Sequence, residues 1–139
     1  MNKTHTPKAN EGAQWFFVDV EGKILGKVAT EIAKLLLGKD TATYTPGVFS
    51  GNHVVVTNAE KVAVTGNKVE DKTYYRHSDY PGALKQETLA EVLEKYPERA
   101  VERAVKGMLP GTKLRKKYMA NLHVYVGPEH PHEAQIDKN

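Results

Sequence analysis

The first candidate for a functional site is a set of basic side chains in the C-terminal half of the chain. Two groups of them each have the spacing of one helix face. The first group is Arg99, Arg103 and Lys106, and the second is Lys113, Lys116 and Lys117. From position 103 to position 118 there are six basic residues and no acidic one. Cations concentrated in this way attract anions, so the segment predicts an anionic partner, with a solvated lysine face as the alternative.

A second candidate is a predicted strand over Lys72–His77 that interleaves aromatic and basic residues. Alternation along a strand places Tyr74 and Arg76 on the same face as Lys72, while Tyr75 and His77 lie on the other. A tyrosine between two cations can stack on an unpaired base while its neighbours hold phosphates. The competing interpretation is that a tyrosine packs in the core, which must hold for one of Tyr74 and Tyr75 and could hold for both.

An alternative function is a nucleotide-binding enzyme, because Gly22 and Gly26 lie where a strand leads into a helix. The dinucleotide signature needs three glycines in the pattern G-x-G-x-x-G, and the phosphate-binding pattern G-x-x-x-x-G-K-[ST] does not occur. Asp19 and Glu21 beside this turn would repel a phosphate. A tight connection between strand and helix explains the glycines, so we expect no cofactor.

A metal site is the other enzymatic alternative, since His123, His130 and His132 lie close in sequence to Glu129 and Glu133. A structural zinc site requires four well-placed ligands, and the chain has no cysteine. Histidines at the surface or against RNA are the favoured interpretation, and we expect no metal. No nucleophile elbow and no H-E-x-x-H motif is present. A protein-interaction domain with an incidental basic face is the remaining hypothesis.

Composition limits the class of protein further. The 139 residues suffice for one hydrophobic core, and the absence of cysteine excludes disulfide frameworks and thiol catalysis. No apolar run reaches the roughly 18–20 residues that span a bilayer, and the N-terminal residues contain no hydrophobic block. We therefore predict a cytosolic protein with a flexible tail over residues 1–13 and a single α/β domain over residues 14–139.

The elements that must position these residues follow from hydrophobic periodicity. Gln14–Val20 is apolar on both faces, as a central strand is, and His53–Thr57 contains three consecutive valines. Between them, Ile24–Leu37 has an apolar stripe at helical spacing, and Gly38 is expected to end this helix. Strand, helix and strand in this order predict a parallel pair with a right-handed crossover.

The basic residues of the C-terminal half lie on a predicted helical insertion. Thr88 opens a helix through a capping box, and Pro97 starts a second helix that ends at Gly107. A short helix over Lys113–Met119 and a last strand over Leu122–Val126 follow. The sequence thus predicts an α/β protein with a helical insertion before its final strand.

The order of several short motifs along the chain is more specific than any one of them. The motifs are Trp15…Val18-Asp19…Gly22-Lys23-Ile24-Leu25-Gly26-Lys27, Gly38-Lys39…Tyr44-Thr45-Pro46, Val54-Val55-Val56…Asn58-Ala59…Lys61, Thr65-Gly66-Asn67-Lys68, Tyr74-Tyr75-Arg76-His77-Ser78, Tyr80-Pro81-Gly82, Ala104-Val105-Lys106-Gly107-Met108-Leu109-Pro110 and His130-Pro131-His132. Together they resemble the large-subunit ribosomal protein L-thirteen family, in its bacterial or organellar form, over about residues 14–135.

This resemblance implies a three-layer α/β/α fold. We expect a small, mostly parallel four-stranded sheet in it. The resemblance also implies a structural role on large-subunit ribosomal RNA, bound early in assembly beside neighbouring ribosomal proteins, on a cytoplasmic or organellar ribosome. The resemblance implies no catalysis. We also expect no cofactor or metal, no small-molecule substrate and no membrane partner.

The RNA-facing parts implied by the resemblance are residues 68–78 and 105–117, with the region around His130 and His132 near RNA as well. These ranges overlap the basic surfaces predicted from residue spacing. The candidate RNA-binding residues are therefore Lys68, Lys72, Tyr74, Arg76, His77, Arg99, Arg103, Lys106, Lys113, Arg115, Lys116, Lys117, His130 and His132.

Overall fold

The chain contains both strands and helices along residues 3–136, which are the residues that the computed structural model describes. The strands are Trp15–Asp19 (β1), His53–Thr57 (β2), Thr73–His77 (β3), Leu84–Thr88 (β4) and Leu122–Val124 (β5). The helices are Leu25–Leu37 (α1), Lys68–Asp71 (α2), Leu89–Lys95 (α3), Pro97–Met108 (α4), Arg115–Ala120 (α5) and Glu133–Ile136 (α6). Residues 1–2 of the predicted tail and residues 137–139 of the predicted domain lie outside the described residues.

The predicted strand–helix–strand unit is confirmed. β1 and β2 are parallel neighbours, with Trp15 opposite His53, and α1 connects them. Apolar residues at helical spacing on α1, such as the fully buried Ile32, turn one face of this helix toward the core. Gly38 ends α1 with a φ of 73°, a left-handed conformation that costs glycine little, and its N–H donates to the carbonyl of Leu35.

The main sheet has three parallel strands in the order β1-β2-β5, so the predicted four-stranded sheet is wrong. The segment Lys72–His77 does not join it, because β3 pairs with β4 in a separate antiparallel hairpin. In this hairpin Thr73 lies opposite Thr88, and His77 lies opposite Leu84. The pairing satisfies backbone groups along one edge of β3, away from the main sheet.

The central strand β2 is buried on both faces. Val54 and Val56 are fully buried in the main core, which α1, α4 and α5 cover with side chains that include Val101 and Val105. Val55 is also fully buried, and strand alternation places it on the opposite face of the sheet. The α/β class and the helical insertion before the last strand are thus confirmed.

A smaller core lies where the hairpin meets the insertion. Leu89, Val92 and Ala100 of α3 and α4 are buried there, and the partly buried ring of Tyr74 packs against them. Within the described part of the chain, no helix combines the length and the apolar character needed to cross a membrane.

The N-terminal segment contacts the loop that precedes β2. The Asn10 N–H donates to the carbonyl of Phe49 at 3.0 Å, and the Gln14 N–H donates to Oδ1 of Asn52 at 3.1 Å. The flexibility of the tail over residues 1–13 stays a prediction.

The capping box predicted at Thr88 is confirmed at the start of α3. The Glu91 N–H donates to the Thr88 hydroxyl at 3.3 Å, and the Thr88 N–H donates to the Glu91 carboxylate at 3.3 Å. Two N–H groups that a helix start otherwise leaves unpaired are therefore satisfied.

We expect Thr88→Ala to lower the free energy of unfolding by about 1 kcal/mol, because the Glu91 N–H loses its acceptor. Urea denaturation measures the change. Thr65→Ala, at an exposed turn position, is the matched control and should stay within about 0.5 kcal/mol of the wild type. Equal losses in the two variants would contradict a stabilising cap.

Candidate nucleic-acid interface

A groove between α4 and α5 gathers most of the basic residues predicted on the insertion. Its volume is about 880 Å³, and its lining contains five cations, which are Arg103, Lys106, Lys113, Arg115 and Lys116. Glu102 is the one carboxylate among the lining residues. Burial raises the pKa of Glu102, the Glu98 carboxylate raises it further, and Arg99 opposes the shift. The groove is therefore strongly positive, and it fits a polyanion.

The amphipathic pattern of α4 explains why its cations face outward. Val101 and Val105 are fully buried, so the opposite side of the helix presents the exposed Arg99 and Lys106. The guanidinium carbon of Arg99 lies 4.0 Å from the centroid of the Tyr96 ring, at the start of the same helix. Arg99 does not line the groove, although its spacing from Lys106 is that of one stripe.

Arg103 connects the groove to the β3–β4 hairpin. Its guanidinium carbon lies 4.5 Å from the centroid of the Tyr74 ring, and its Nη2 lies 3.8 Å from a carboxylate oxygen of Glu87 in β4. Its side chain is only 34% exposed. Arg103 also lines a second pocket, of about 340 Å³, together with Lys68 and Lys72. The basic surface is therefore continuous from the groove to α2.

Tyr74 and Tyr75 take the two roles that strand alternation left open. The Tyr74 ring packs against the smaller core, with Nζ of Lys72 5.5 Å from its centroid on one side and Arg103 nearby. Burial raises the pKa of Tyr74, and the charge of Arg103 opposes the shift. Tyr75 is 66% exposed. Sequence reasoning selected the ring that packs, because alternation shows that the two tyrosines differ but not which one faces the core.

Arg76 and His77 lie at the end of β3, apart from the residues of the groove. Both are exposed, and they line a recess of about 340 Å³ at the tip of the hairpin with Ser78, Ala83 and Lys85. Lys85 was missed by sequence reasoning because its strand, β4, has no alternating apolar pattern.

The basic residues before and within α5 have different environments. The guanidinium of Arg115 donates from Nε and Nη2 to the carbonyls of the two residues that follow α4, at 3.2 and 3.0 Å. Arg115 thereby fixes the turn between the two helices. Lys113 and Lys116 remain exposed on the groove, whereas Nζ of Lys117 lies outside it, 6.0 Å from the ring centroid of Phe49.

His130 and His132 lie in a cluster of rings on the face of the sheet opposite α1. The ring centroid of His132 lies 5.2 Å from that of Trp15 and 4.7 Å from that of His123. Its Nε2 lies 2.7 Å from the hydroxyl of Tyr125, and its backbone N–H donates to Nδ1 of His130 at 3.2 Å. The structure therefore gives both histidines packing partners within the protein and does not bring them to the groove.

Two histidines of this cluster, His53 and His123, have lowered pKa values. His53 stacks on Trp15 with ring centroids 4.2 Å apart, and its Nδ1 lies 3.4 Å from Nε2 of His123. Burial lowers the pKa of both His53 and His123, and the nearby His132 lowers them further. Among residues 3–136, no group of three or more His, Cys, Asp or Glu side chains could hold a metal ion.

A continuous basic groove on an α/β body is typical of proteins that recognise the shape and backbone of folded RNA. The chain belongs to the ribosomal protein L13 family, because the model of that family matches residues 13–131. It is 51% identical to large ribosomal subunit protein uL13 of Citrifermentans bemidjiense over 138 residues, which cover 99% of this chain and 97% of that protein. The uL13 proteins of Maridesulfovibrio salexigens and Bacillus cereus strain G9842 are 52% and 49% identical, and the matches cover 98% and 97% of this chain and 96% and 94% of those proteins.

Family membership confirms the resemblance drawn from the ordered motifs. It also confirms that the chain is not an enzyme, since the proteins of this family are structural. The individual RNA-binding residues stay predictions.

We expect Arg103→Ala to lower the free energy of unfolding by about 1–2 kcal/mol, because it removes the stack on Tyr74 and leaves Glu87 without its partner. Lys106→Ala removes an exposed cation from the same helix and should stay within about 0.5 kcal/mol of the wild type. Urea denaturation of both variants tests this difference. Indistinguishable unfolding midpoints would mean that Arg103 does not hold the hairpin.

We expect the free energy of unfolding to fall as the pH drops below about 6.5, the ordinary histidine pKa. His53 and His123 have lowered pKa values in the folded protein, so the unfolded chain takes up protons first and acid favours it. The loss should level off once the pH is below the folded-state values. Urea denaturation from about pH 8 to about pH 5.5 measures it.

The variant His53→Gln/His123→Gln should flatten this pH dependence, because neither position then titrates. His77→Gln is the control, since this histidine is exposed on β3. A pH dependence that is unchanged in the double variant would assign the effect to other groups.

Proposed function

We propose that this chain is a structural constituent of the large ribosomal subunit, which binds and helps fold large-subunit ribosomal RNA early in assembly. The names of its relatives support the assignment, since each is a large ribosomal subunit protein uL13. The observation that carries the proposal is the groove between α4 and α5, where five cations face one carboxylate. In this proposal the protein has no catalytic activity and needs no cofactor.

Three exposed lysines of the groove are the proposed phosphate ligands, and they are Lys106, Lys113 and Lys116. Each phosphate that a lysine neutralises releases condensed counterions, so binding should weaken as salt rises. An ammonium group lacks the planar fork of arginine and acts as a point charge. Lysines on two helices and on the turn between them therefore recognise the spacing of phosphates, which is a property of RNA shape rather than of base sequence.

The partly buried arginines are proposed to position these lysines. Arg103 ties α4 to the hairpin through Tyr74, and Arg115 ties α5 to the end of α4. Lys68 and Lys72 extend the basic surface through the pocket that they share with Arg103.

The ring cluster is proposed to hold the C-terminal segment against the sheet. In this proposal His130 and His132 position that segment through their packing contacts. On the ribosome the protein would lie beside neighbouring large-subunit proteins, and its bacterial relatives favour a cytoplasmic ribosome. The RNA-binding unit is the single domain over residues 14–139.

The combined substitutions Lys106→Ala, Lys113→Ala and Lys116→Ala should weaken binding to large-subunit ribosomal RNA. They should also make the slope of log affinity against log salt concentration less steep by about 2–3, because each phosphate contact contributes about 0.9. Filter binding over a salt series measures both quantities. The unfolding midpoint should not change, since all three side chains are exposed.

The control variant removes the same charge elsewhere, at the exposed Lys23, Lys27 and Lys39. It should retain more affinity than the groove variant, and equal losses would mean that net charge rather than the groove determines binding. A mixture of transfer RNAs serves as the competing RNA. Equal binding of the wild type to both RNAs would contradict the proposal and would leave only an incidental basic face.

A further inference from the structure

The β3–β4 hairpin packs on the protein through only part of its surface. Tyr74 and Glu87, which lie opposite each other, contact Arg103. The outer part of the hairpin is open to solvent, with Tyr75 66% and Tyr80 75% exposed. These large side chains lie in a segment that the groove does not include.

Two cations face each other across the outer part of the hairpin. Arg76 lies directly opposite Lys85 in the antiparallel register. Like charges in directly opposed positions destabilise a strand pair, because their Cβ atoms lie only about 4.5–5.5 Å apart. Neither side chain takes part in an ion pair within residues 3–136, and Glu87, the carboxylate two residues from Lys85, lies beside Arg103.

The recess at the hairpin tip is suited to an anion that would relieve this repulsion. Its lining contains Arg76, Lys85 and the hydroxyl of Ser78, and it contains no carboxylate. A backbone phosphate can accept hydrogen bonds from all three groups, and the guanidinium can bind it with two N–H donors.

The opposite face of the hairpin presents an aromatic ring. Tyr75 lies opposite Gln86, and His77 lies opposite Leu84, which is itself 53% exposed. Within the described residues the Tyr75 ring has no aromatic or cationic partner, in contrast to Tyr74. An exposed ring of this kind stacks on an unpaired base, and every base offers a suitable face.

We propose that the hairpin inserts between two segments of RNA and binds both. The Arg76–Lys85 face holds a backbone phosphate, and the Tyr75 face stacks on an unpaired base. An apolar peptide on the same hairpin would leave the two facing cations without a counter-ion, so a nucleic acid fits this surface better than a protein does. The inference rests on the proposed function and adds single-stranded RNA as a second ligand beside the shape recognised by the groove.

The variant Lys85→Thr tests the phosphate site through two effects of opposite sign. The free protein should unfold at a higher urea concentration than the wild type at low salt, because the repulsion of Arg76 is removed, and high salt should screen this difference. Its affinity for large-subunit ribosomal RNA should fall, with a salt slope less steep by about 0.7–0.9. If Lys85 had only a structural role, its replacement would instead lower the free energy of unfolding.

The variant Tyr75→Ala tests the stacking site. Its affinity for ribosomal RNA and for a single-stranded oligouridine should fall about 5- to 140-fold, which corresponds to about 1–3 kcal/mol per stacked base. The salt slope should not change, because no charge is removed. Tyr75→Phe keeps the ring and should bind like the wild type, and Tyr44→Ala is the control for an exposed tyrosine elsewhere.

The outcomes separate this inference from the proposed function. The stacking site alone is overturned if the wild type prefers ribosomal RNA but Tyr75→Ala binds both oligouridine and ribosomal RNA as tightly as the wild type does. Unchanged RNA affinity in Lys85→Thr overturns the phosphate site. A wild type that does not distinguish ribosomal RNA from transfer RNA overturns the proposed function, while the oligouridine measurement still decides whether the Tyr75 ring stacks on bases.

Discussion

Burial of β2 on both of its faces is the constraint on which the rest of the structure depends. β1 and β5 are both hydrogen-bonded to this strand, the helices cover one of its faces and the ring cluster covers the other. A shift of register by one residue would turn His53 and Thr57 toward the main hydrophobic core. The polar residues at the ends of the strand, more than its three valines, therefore determine the register. On the face of the histidines, Trp15 lies opposite His53 and stacks on it.

The proposed RNA-binding surface takes its geometry from contacts that are themselves buried. Val101 and Val105 direct one side of α4 to the core, and this leaves Lys106 on the outside. Arg115 then fixes where α5 starts, through two carbonyl groups at the end of α4. Because neither helix can rotate without breaking one of these contacts, the lysines are held at set distances before any ligand arrives. Less conformational freedom has to be lost on binding when the site is organised in advance.

Local signals in the sequence were sufficient to predict the features that depend on contacts between residues close together in the chain. The helix that ends at Gly38, the capping box at Thr88 and the helix that starts at Pro97 each depend on contacts within a few residues, and each was predictable. Pairing between strands that are distant in the chain was not predictable from such signals. β4 has mostly polar side chains and gave no strand signal, so its pairing with β3 and the resulting three-stranded main sheet were missed. Within the candidate site, spacing selected the exposed lysines Lys106, Lys113 and Lys116, but it also included Lys117, which lies outside the groove, and their role in RNA binding stays a prediction. It could not separate them from Arg103 and Arg115, whose partners are set by tertiary structure.

The strand order has a consequence for the folding of the chain during its synthesis. β5 is the last strand to leave the site of synthesis, yet it is the partner of the central strand, with the Val54 N–H donating to the carbonyl of Asn121 and the Tyr125 N–H donating to the carbonyl of Val56. Until those residues emerge, β2 is an open edge beside a row of bare valines, the kind of surface that aggregates or is captured by chaperones. A prematurely terminated chain would carry the whole basic groove on an unfinished sheet. Copies that contain β5 can therefore present that groove on a completed sheet, and copies that end before β5 cannot.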